Sequence, residues 1–529
     1  MNTLKKLVVS FVALCMAVIL PASLSPQKVA AAQEGKMSIF SIDAGRKYFS
    51  KDQLKQIVKK AHDNGYTHVQ ILLGNDGLRF ALDDMTIETE TTTYASDDVK
   101  EGIVYANNEY YNDPNGNYLT ETEMDEILAY AQKLNISIIP VINGPGHMDG
   151  ILSAMEYVGV ENPQYSYKGK KSTRTIDLNN EEAIAFNKAL LTKYVEYFSE
   201  YCEIFNFGSD EYANDIDSSN EGYYNGWSRL QGTGMYPKFV TYVNDIAAII
   251  KDAGMTPMCF NDGIYYGRTY NESFGKFDQD IIISYWTAGW WEFYVAKAND
   301  LYNRGHQIVN TNDAWYWVLG HVEDGGYNYV NALKNTEAKG FDEVAGDSSH
   351  TPTIGSTQAV WCDEPNMPHD MDRIMNLMDK FSEKHADIMI RPADYTKVEE
   401  ALNSVPEDLT IYTEASVEAL NNAIAAIDYT LKVDDQEAVD AMAQAIIDAV
   451  AALEEMPVKP ETKPEVKPEV KPETKPVTPS KPNTTPEAKP QVDKGEAPHT
   501  GDSSNLYVFA VAMLAAFAGM GYAVKKRMN

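Results

Sequence analysis

Ile204-Phe205-Asn206-Phe207-Gly208-Ser209-Asp210-Glu211 holds the pattern from which the architecture of this chain can be read. A short, mostly apolar run stops at Gly-Ser, a pair that lets backbone leave a strand in a tight turn, and two acids follow at once. Apolar runs of this length bounded by turn residues are what strands buried on both faces look like. Runs of the same kind recur at Met37–Asp43, His68–Leu73, Ser137–Asn143, Thr256–Asn261, Ile281–Trp286, Gln307–Thr311 and Thr357–Trp361. Amphipathic stretches lie between most of them, as at Gln53–Ala61, Thr122–Leu134, Ala183–Phe198 and Phe239–Ala253. Eight buried strands alternating with helices predict the α/β class, a (β/α)8 TIM barrel spanning residues 33–392.

The rest of the 529 residues divides by composition. Residues 393–456 are alanine-rich and acidic, with Val417, Leu420, Ile424 and Ile427, then Val439, Met442, Ile446 and Val450, at helical spacing. They predict a small three-helix bundle, serving as a spacer or as a sugar-binding module. Residues 457–496 repeat Lys-Pro-Glu, which forbids helix and sheet and predicts an extended, semi-rigid linker. At the start, Lys5 and Lys6, the apolar run Leu7–Leu20 and the small residues Ala30–Ala32 read as a secretory signal peptide over residues 1–32. At the end, residues 497–529 hold an apolar run, Leu506–Val524, long enough to span a bilayer, and a basic tail of Lys525, Lys526 and Arg527. Ala497-Pro498-His499-Thr500-Gly501 precedes it. That order resembles the sorting signal of Gram-positive wall proteins, which a sortase cuts between Thr and Gly and joins to peptidoglycan. The pattern has Leu where this chain has Ala497, and a plain membrane anchor is the alternative. The expected location is the cell surface, anchored to the wall.

Charge excludes one class of partner. Lys and Arg total 45 against 77 acids, a formal charge of −32, so a nucleic-acid backbone would be repelled. Four cysteines, one of them Cys15 in the leader, are too few for a disulfide scaffold. Barrels of this kind gather chemistry at the C-terminal ends of their strands. Here those ends supply Asp43 and Arg46; Asn75, Asp76 and Arg79; Asn143 and His147; Asp210 and Glu211; Asn261 and Asp262; Trp286; Asn312, Asp313 and Tyr316; and Trp361, Asp363 and Glu364. Carboxylates, amides and flat rings meeting in one mouth suit a neutral, hydroxyl-rich ligand such as a sugar. The nine histidines form no His-x-His or His-Glu-x-x-His pair, and no phosphate-cradling glycine loop or Gly-x-Ser-x-Gly is present. No cofactor is expected, with a divalent ion held by carboxylates alone as the open alternative. Acid–base chemistry by carboxylates remains. Most retaining glycosidases set two carboxyl groups about 5 Å apart across the scissile bond. Adjacent acids suit another division of labour. Glu211 protonates the leaving oxygen, while Asp210 steadies a 2-acetamido group of the sugar that itself attacks the anomeric carbon.

Gly208-x-Asp210-Glu211 on the fourth strand resembles the mark of family 20 glycoside hydrolases, the β-N-acetylhexosaminidases. So do Asp43-Ala44-Gly45-Arg46-Lys47-Tyr48-Phe49, Asn75-Asp76-Gly77-Leu78-Arg79-Phe80, Pro145-Gly146-His147, Asn312-Asp313-Ala314-Trp315-Tyr316 and Trp361-Cys362-Asp363. The likeness covers residues 37–385 and extends to the streptococcal surface exo-β-N-acetylglucosaminidases. It implies Glu211 as general acid and then base, Asp210 as orienter of the acetamido N–H, and Tyr316 as donor to the acetamido oxygen. Arg46 and Asp363 would hold sugar hydroxyls, Trp361 would lie under the ring, and Trp286 would wall the acetamido methyl group. His147 would support the acid through a relay ending at Asp76, although many relatives carry the acid one place earlier, at the position of Asn75. Asp262 stands as a further binder by strand position, and Asp313 as a binder or as an orienter of Tyr316. Core packing is the competing role for both tryptophans. The implied activity is exo-acting, retaining removal of terminal β-linked N-acetylglucosamine, with N-acetylgalactosamine as a neighbouring option, from N-acetylhexosamine-terminated glycans. Release of a disaccharide, as by a lacto-N-biosidase, and a non-catalytic glycan-binding adhesin are the alternatives.

Overall fold

A computed structural model describes residues 35–267, 275–406 and 408–456. The expected signal peptide, Pro-rich linker and sorting segment lie outside the described residues. Eight strands form the first compact unit: β1 Met37–Asp43, β2 His68–Asn75, β3 Ser137–Ile142, β4 Ile204–Asn206, β5 Thr256–Phe260, β6 Ile282–Tyr285, β7 Ile308–Asn310 and β8 Gly355–Trp361. Each pairs in parallel with its neighbours in chain order, and β1 pairs with both β2 and β8, so the sheet closes into a barrel. The expected runs fall on these strands to within about two residues.

The barrel is filled in layers. Ile39, Ile139, Met258, Ile282 and Val309, from five different strands, meet in a cluster of their own, separate from the larger core outside the strands. Residues of β1, β3 and β5 can touch one another only across the barrel interior, so this cluster is its apolar floor. Towards the C-terminal ends the filling turns polar: Gln70 donates to Ser41 at 2.9 Å, and Asn206 donates to Gln70 at 3.0 Å. The outward faces of the strands, such as Phe40, Val69 and Ile71, pack with helix residues such as Leu54, Ile57 and Val58. Those helices include α1 (Lys51–Asp63), α2 (Ser96–Tyr111) and α3 (Glu121–Lys133), then α4 (Asp149–Tyr157) and α5 (Glu181–Ser199). Ser50 with Gln53 and Thr120 with Glu123 form capping boxes that satisfy the first turns of α1 and α3.

The alternation is imperfect in three places, one of them a short hairpin after β2, Ile87–Glu88 with Thr93–Tyr94. Among the described residues no helix separates β5 from β6, and after β3 the chain inserts a hairpin, Gln164–Tyr167 with Lys170–Ile176, which buries Tyr165 and Ile176. The second compact unit starts at Ala393. Its described part holds helices Thr396–Asn403, Glu414–Ala425 and Gln436–Ala451, which bury Val398, Leu420, Val439 and Ile446.

Candidate active site

The exit from β4 is locked by its neighbour. Gly208 has φ +72°, and a Cβ there would lie 1.9 Å from Asn143 Oδ1, so no other residue fits. Asn143, at the end of β3, accepts from the Ser209 N–H at 3.1 Å and donates from Nδ2 to Asp210 Oδ1 at 2.8 Å. Ser209, Glu211, Asp76 and His147 also have left-handed backbone, with φ between 50° and 69°. Such a conformation costs a side chain-bearing residue on the order of 1–3 kcal/mol and persists only where surroundings enforce it. Here they do: the Asp76 N–H donates to the His147 carbonyl at 2.7 Å, and the Glu211 N–H donates to Asp262 Oδ2 at 2.9 Å.

One cavity at this end of the barrel is lined by Arg46, His147, Asp210, Glu211, Trp286, Tyr316, Trp361 and Asp363, together with Phe260, Val318 and Tyr327. Trp286 and Tyr316 stand nearly parallel at 6.4 Å between ring centres, and Trp361 meets Tyr316 edge-on at 5.3 Å. The Tyr316 hydroxyl is buried and has no hydrogen-bond partner among the described residues. Arg46 is held by three acids: Nε donates to Asp76 Oδ2 at 2.7 Å, and Nη1 donates to Asp43 Oδ2 at 2.9 Å and to Asp363 Oδ1 at 3.0 Å. Asp363 remains half exposed.

Behind the acids runs a chain of ionisable groups. His147 Nδ1 is 2.9 Å from Asp76 Oδ1, and Nε2 is 3.2 Å from Glu211 Oε2 and 3.7 Å from Asp210 Oδ2. Burial alone would raise Asp76, but Arg46 and His147 hold it well below the usual carboxylate range. Burial likewise opposes charge on His147, and Asp76 and Asp210 overcome it, raising the imidazole well above its ordinary value. Glu211 is held down against burial by its hydrogen bond to His147. Asp210 is raised, first by burial, then by the adjacent Glu211 charge against the pull of His147. Neighbouring acids are thus pushed apart, and in the unliganded site Asp210 is the one more readily protonated.

Three of the candidate acids, Asp262, Asp76 and Asp313, do not line the cavity. Asp262 is fully buried and does not line the cavity. Its Oδ2 accepts from the Glu211 N–H and from Trp227 Nε1 at 2.9 Å each, and its Oδ1 accepts from Trp286 Nε1 at 3.1 Å. With its acceptors occupied it orients Glu211 and Trp286, and the expectation of a sugar binder is corrected. Asp76 sits behind Arg46 and His147, bonded to both, at the position where the relay was expected to end. Asp313 lies outside the lining, accepting from the Tyr327 hydroxyl at 3.2 Å. Tyr327 itself was not foreseen. It follows Gly325-Gly326 in the loop after β7, where no strand period points to it.

The profile of a family described as Glycosyl hydrolase family 20, catalytic domain, matches residues 39–375. The chain is 43% identical to the solved structure of the tandem catalytic modules of the pneumococcal exo-β-D-N-acetylglucosaminidase StrH, with a TM-score of 0.71 over 79% of this chain and 98% of that one. It is 30% identical over 332 residues to the lacto-N-biosidase of Bifidobacterium bifidum, covering 55% of this chain and 27% of that protein. With the β-hexosaminidase subunit A1 of Dictyostelium discoideum it shares 21% over 52% of this chain and 45% of that one. The chain therefore spans less than half the length of either curated relative.

Proposed function

The chain belongs to glycosyl hydrolase family 20, and on that footing we propose that it is an exo-β-N-acetylglucosaminidase that retains configuration by using the substrate's own acetamido group. The observation that carries this reading is the adjacent pair Asp210–Glu211 in one cavity with the unpartnered Tyr316 hydroxyl. The terminal sugar lies against Trp361, and its acetamido group enters between Trp286 and Tyr316. Asp210 accepts from the acetamido N–H while Tyr316 donates to the acetamido oxygen, aiming it at the anomeric carbon. As that oxygen attacks, Glu211 gives its proton to the leaving oxygen, and a bicyclic oxazolinium forms. Glu211 then takes a proton from the water that opens this ring from the same face as the departed group. Charge develops on the acetamido group during attack, so contacts to Asp210 and Tyr316 strengthen where they lower the barrier.

Glu211 must be protonated when substrate is bound, yet in the unliganded site His147 holds it ionised. One proton is shared along Glu211–His147–Asp76. Sugar covering the Glu211 carboxylate removes its water, and desolvation moves that proton from His147 to Glu211.

Similarity to the lacto-N-biosidase favours a second reading, release of a disaccharide. Arg46 and Asp363, joined at 3.0 Å at the cavity wall, support a pocket that ends after one sugar. Release of 4-nitrophenol from β-N-acetylglucosaminide, β-N-acetylgalactosaminide and lacto-N-bioside, beside Asp210→Asn, tests the choice. Turnover of the first, lost in the variant, supports this reading; turnover of the bioside alone transfers it to the second. The leader, Pro-rich linker and sorting segment extend the proposal to attachment by sortase to wall peptidoglycan. Recovery of the protein only from the membrane fraction of a wall-digested Gram-positive host would overturn that extension.

A further inference from the structure

Two residues past His147, the first turn of α4 carries an acid to which the reaction above gives no part. The Asp149 carboxyl is in hydrogen-bonding contact with that of Asp76. Its Oδ1 accepts from Thr173 Oγ1 at 3.2 Å, and its Oδ2 is buried with no donor among the described residues. The backbone brings the two residues close, because the Gly150 N–H donates to the Asp76 carbonyl, while the Met148 N–H donates to the Arg174 carbonyl of the inserted hairpin. Two touching carboxyls resist ionising together and share a proton instead. Asp76 is already fixed as the anion by Arg46 and His147, so the proton lies on Asp149.

The groups facing this pair are few. Arg174, from the inserted hairpin, attracts both carboxyls, and Tyr110 of α2 approaches Asp76 Oδ2 at 3.4 Å. Arg46 and His147 complete the surroundings through Asp76.

Resting on the hydrolase reading, we propose that Asp149 is a fourth member of the relay, a neutral carboxylic acid whose O–H donates to Asp76 and keeps the shared proton on the Glu211 side of His147. It acts through Asp76 and is a positioning residue. A donor on Asp76 weakens the pull of that carboxylate on the His147 proton. When Asp149 loses its own proton to solvent, the donor is replaced by a negative charge. The relay proton is then drawn to His147, away from the leaving group. Burial, then the Asp76 charge, pushes Asp149 up to about 7, so this change falls within the neutral range.

The test is the pH dependence of kcat and KM for the full-length protein, Asp149→Asn and Asp149→Ala, on a β-N-acetylglucosaminide with a poor leaving group. Wild type should step down in kcat near neutral pH. Asn keeps an N–H donor and cannot ionise, so its profile should lack that step. Ala has neither, and below the step its kcat should fall about tenfold, the worth of one well-placed hydrogen bond, with KM nearly unmoved. Asn should recover most of that loss. Coincident profiles for wild type and Asn, or equal losses in Asn and Ala at every pH, would overturn the proposal. Infrared difference spectra give a readout independent of turnover: subtracting Asp149→Asn from wild type at pH 6 should leave the C=O band of one protonated carboxyl, because buried acids such as Asp262, also pushed up to about 7, contribute equally to both; absence of that band from the difference would also overturn the proposal. If wild type hydrolyses no glycoside, the functional reading fails, while the infrared band still decides where the proton lies.

Discussion

The two ends of the barrel are made by the same eight strands and differ in nearly every physical respect. At the floor, Ile39, Ile139, Met258, Ile282 and Val309 are all but inaccessible and carry no polar side-chain atoms. At the mouth, four residues that bear side chains hold left-handed backbone, and one arginine is ringed by three acids. The floor gains by burying apolar surface, and the mouth gives up some of that gain to hold charges close together. Stability and chemistry are thereby separated along the barrel axis, and substitutions should reveal which end they touch.

The largest effect is expected at the mouth. Glu211→Gln should lower kcat on a natural disaccharide by about 10²–10⁴-fold, the range for general acids, and by much less on a 4-nitrophenyl leaving group that needs little protonation. Its thermal midpoint should barely move. Equal turnover of the disaccharide by variant and wild type would remove Glu211 from its role. The floor should give the opposite signature: Ile39→Ala is expected to cost about 2–5 kcal/mol in denaturant unfolding, with kcat per folded molecule intact. A change in kcat without a change in stability would break the division between the two ends.

How much could be read beforehand follows the same axis. The strands were legible because parallel strands buried on both faces leave continuous apolar runs such as Ile138–Ile142, bounded by turn residues. Residues at strand ends were legible as candidates, because the end of a strand fixes which opening of the barrel a residue enters. What sequence does not encode locally is which way a carboxylate turns there. Asp262 and Asp363 look alike by strand position, yet one is occupied by two indole N–H groups and a backbone N–H, while the other is half exposed at the cavity. Tyr327 comes from a loop and Asp149 from a helix start, and both acquire meaning only through contacts across the fold. The β5–β6 connection, whose described residues hold no helix, shows the same limit, since eight strands predict closure without dictating what each connection contains.

A third prediction lies between the extremes. His147 is raised in the folded state, so its stabilisation is fully present below the unfolded value of about 6.5 and is lost as pH rises through the folded value. Asp76 is depressed, so its stabilisation is present above about 3.9 and is lost as pH falls through the folded value. Both act together between about pH 4 and 6.5. The thermal midpoint of Asp76→Asn should trail wild type most in that window, and the gap should narrow at alkaline pH. A constant gap would mean that the two groups are not linked as charges. The smallest effect belongs to neither end: Lys59 and Asp63 pair at 2.6 Å on the outside of α1, well exposed, and Lys59→Ala should change stability by less than about 0.5 kcal/mol.

The Gly208 turn has a consequence for how such an enzyme can change over time. Both acids of the pair leave a single strand, Asp210 held by Asn143 and the Glu211 N–H by Asp262, so the pair is set within about five consecutive residues. Loops from the other strands can lengthen, shorten or exchange aromatic residues without disturbing the distance between Asp210 and Glu211. Lineages carrying this turn are free to diversify in which glycan they accept while inheriting the reaction unaltered, and Gly208 is where that inheritance is most easily broken.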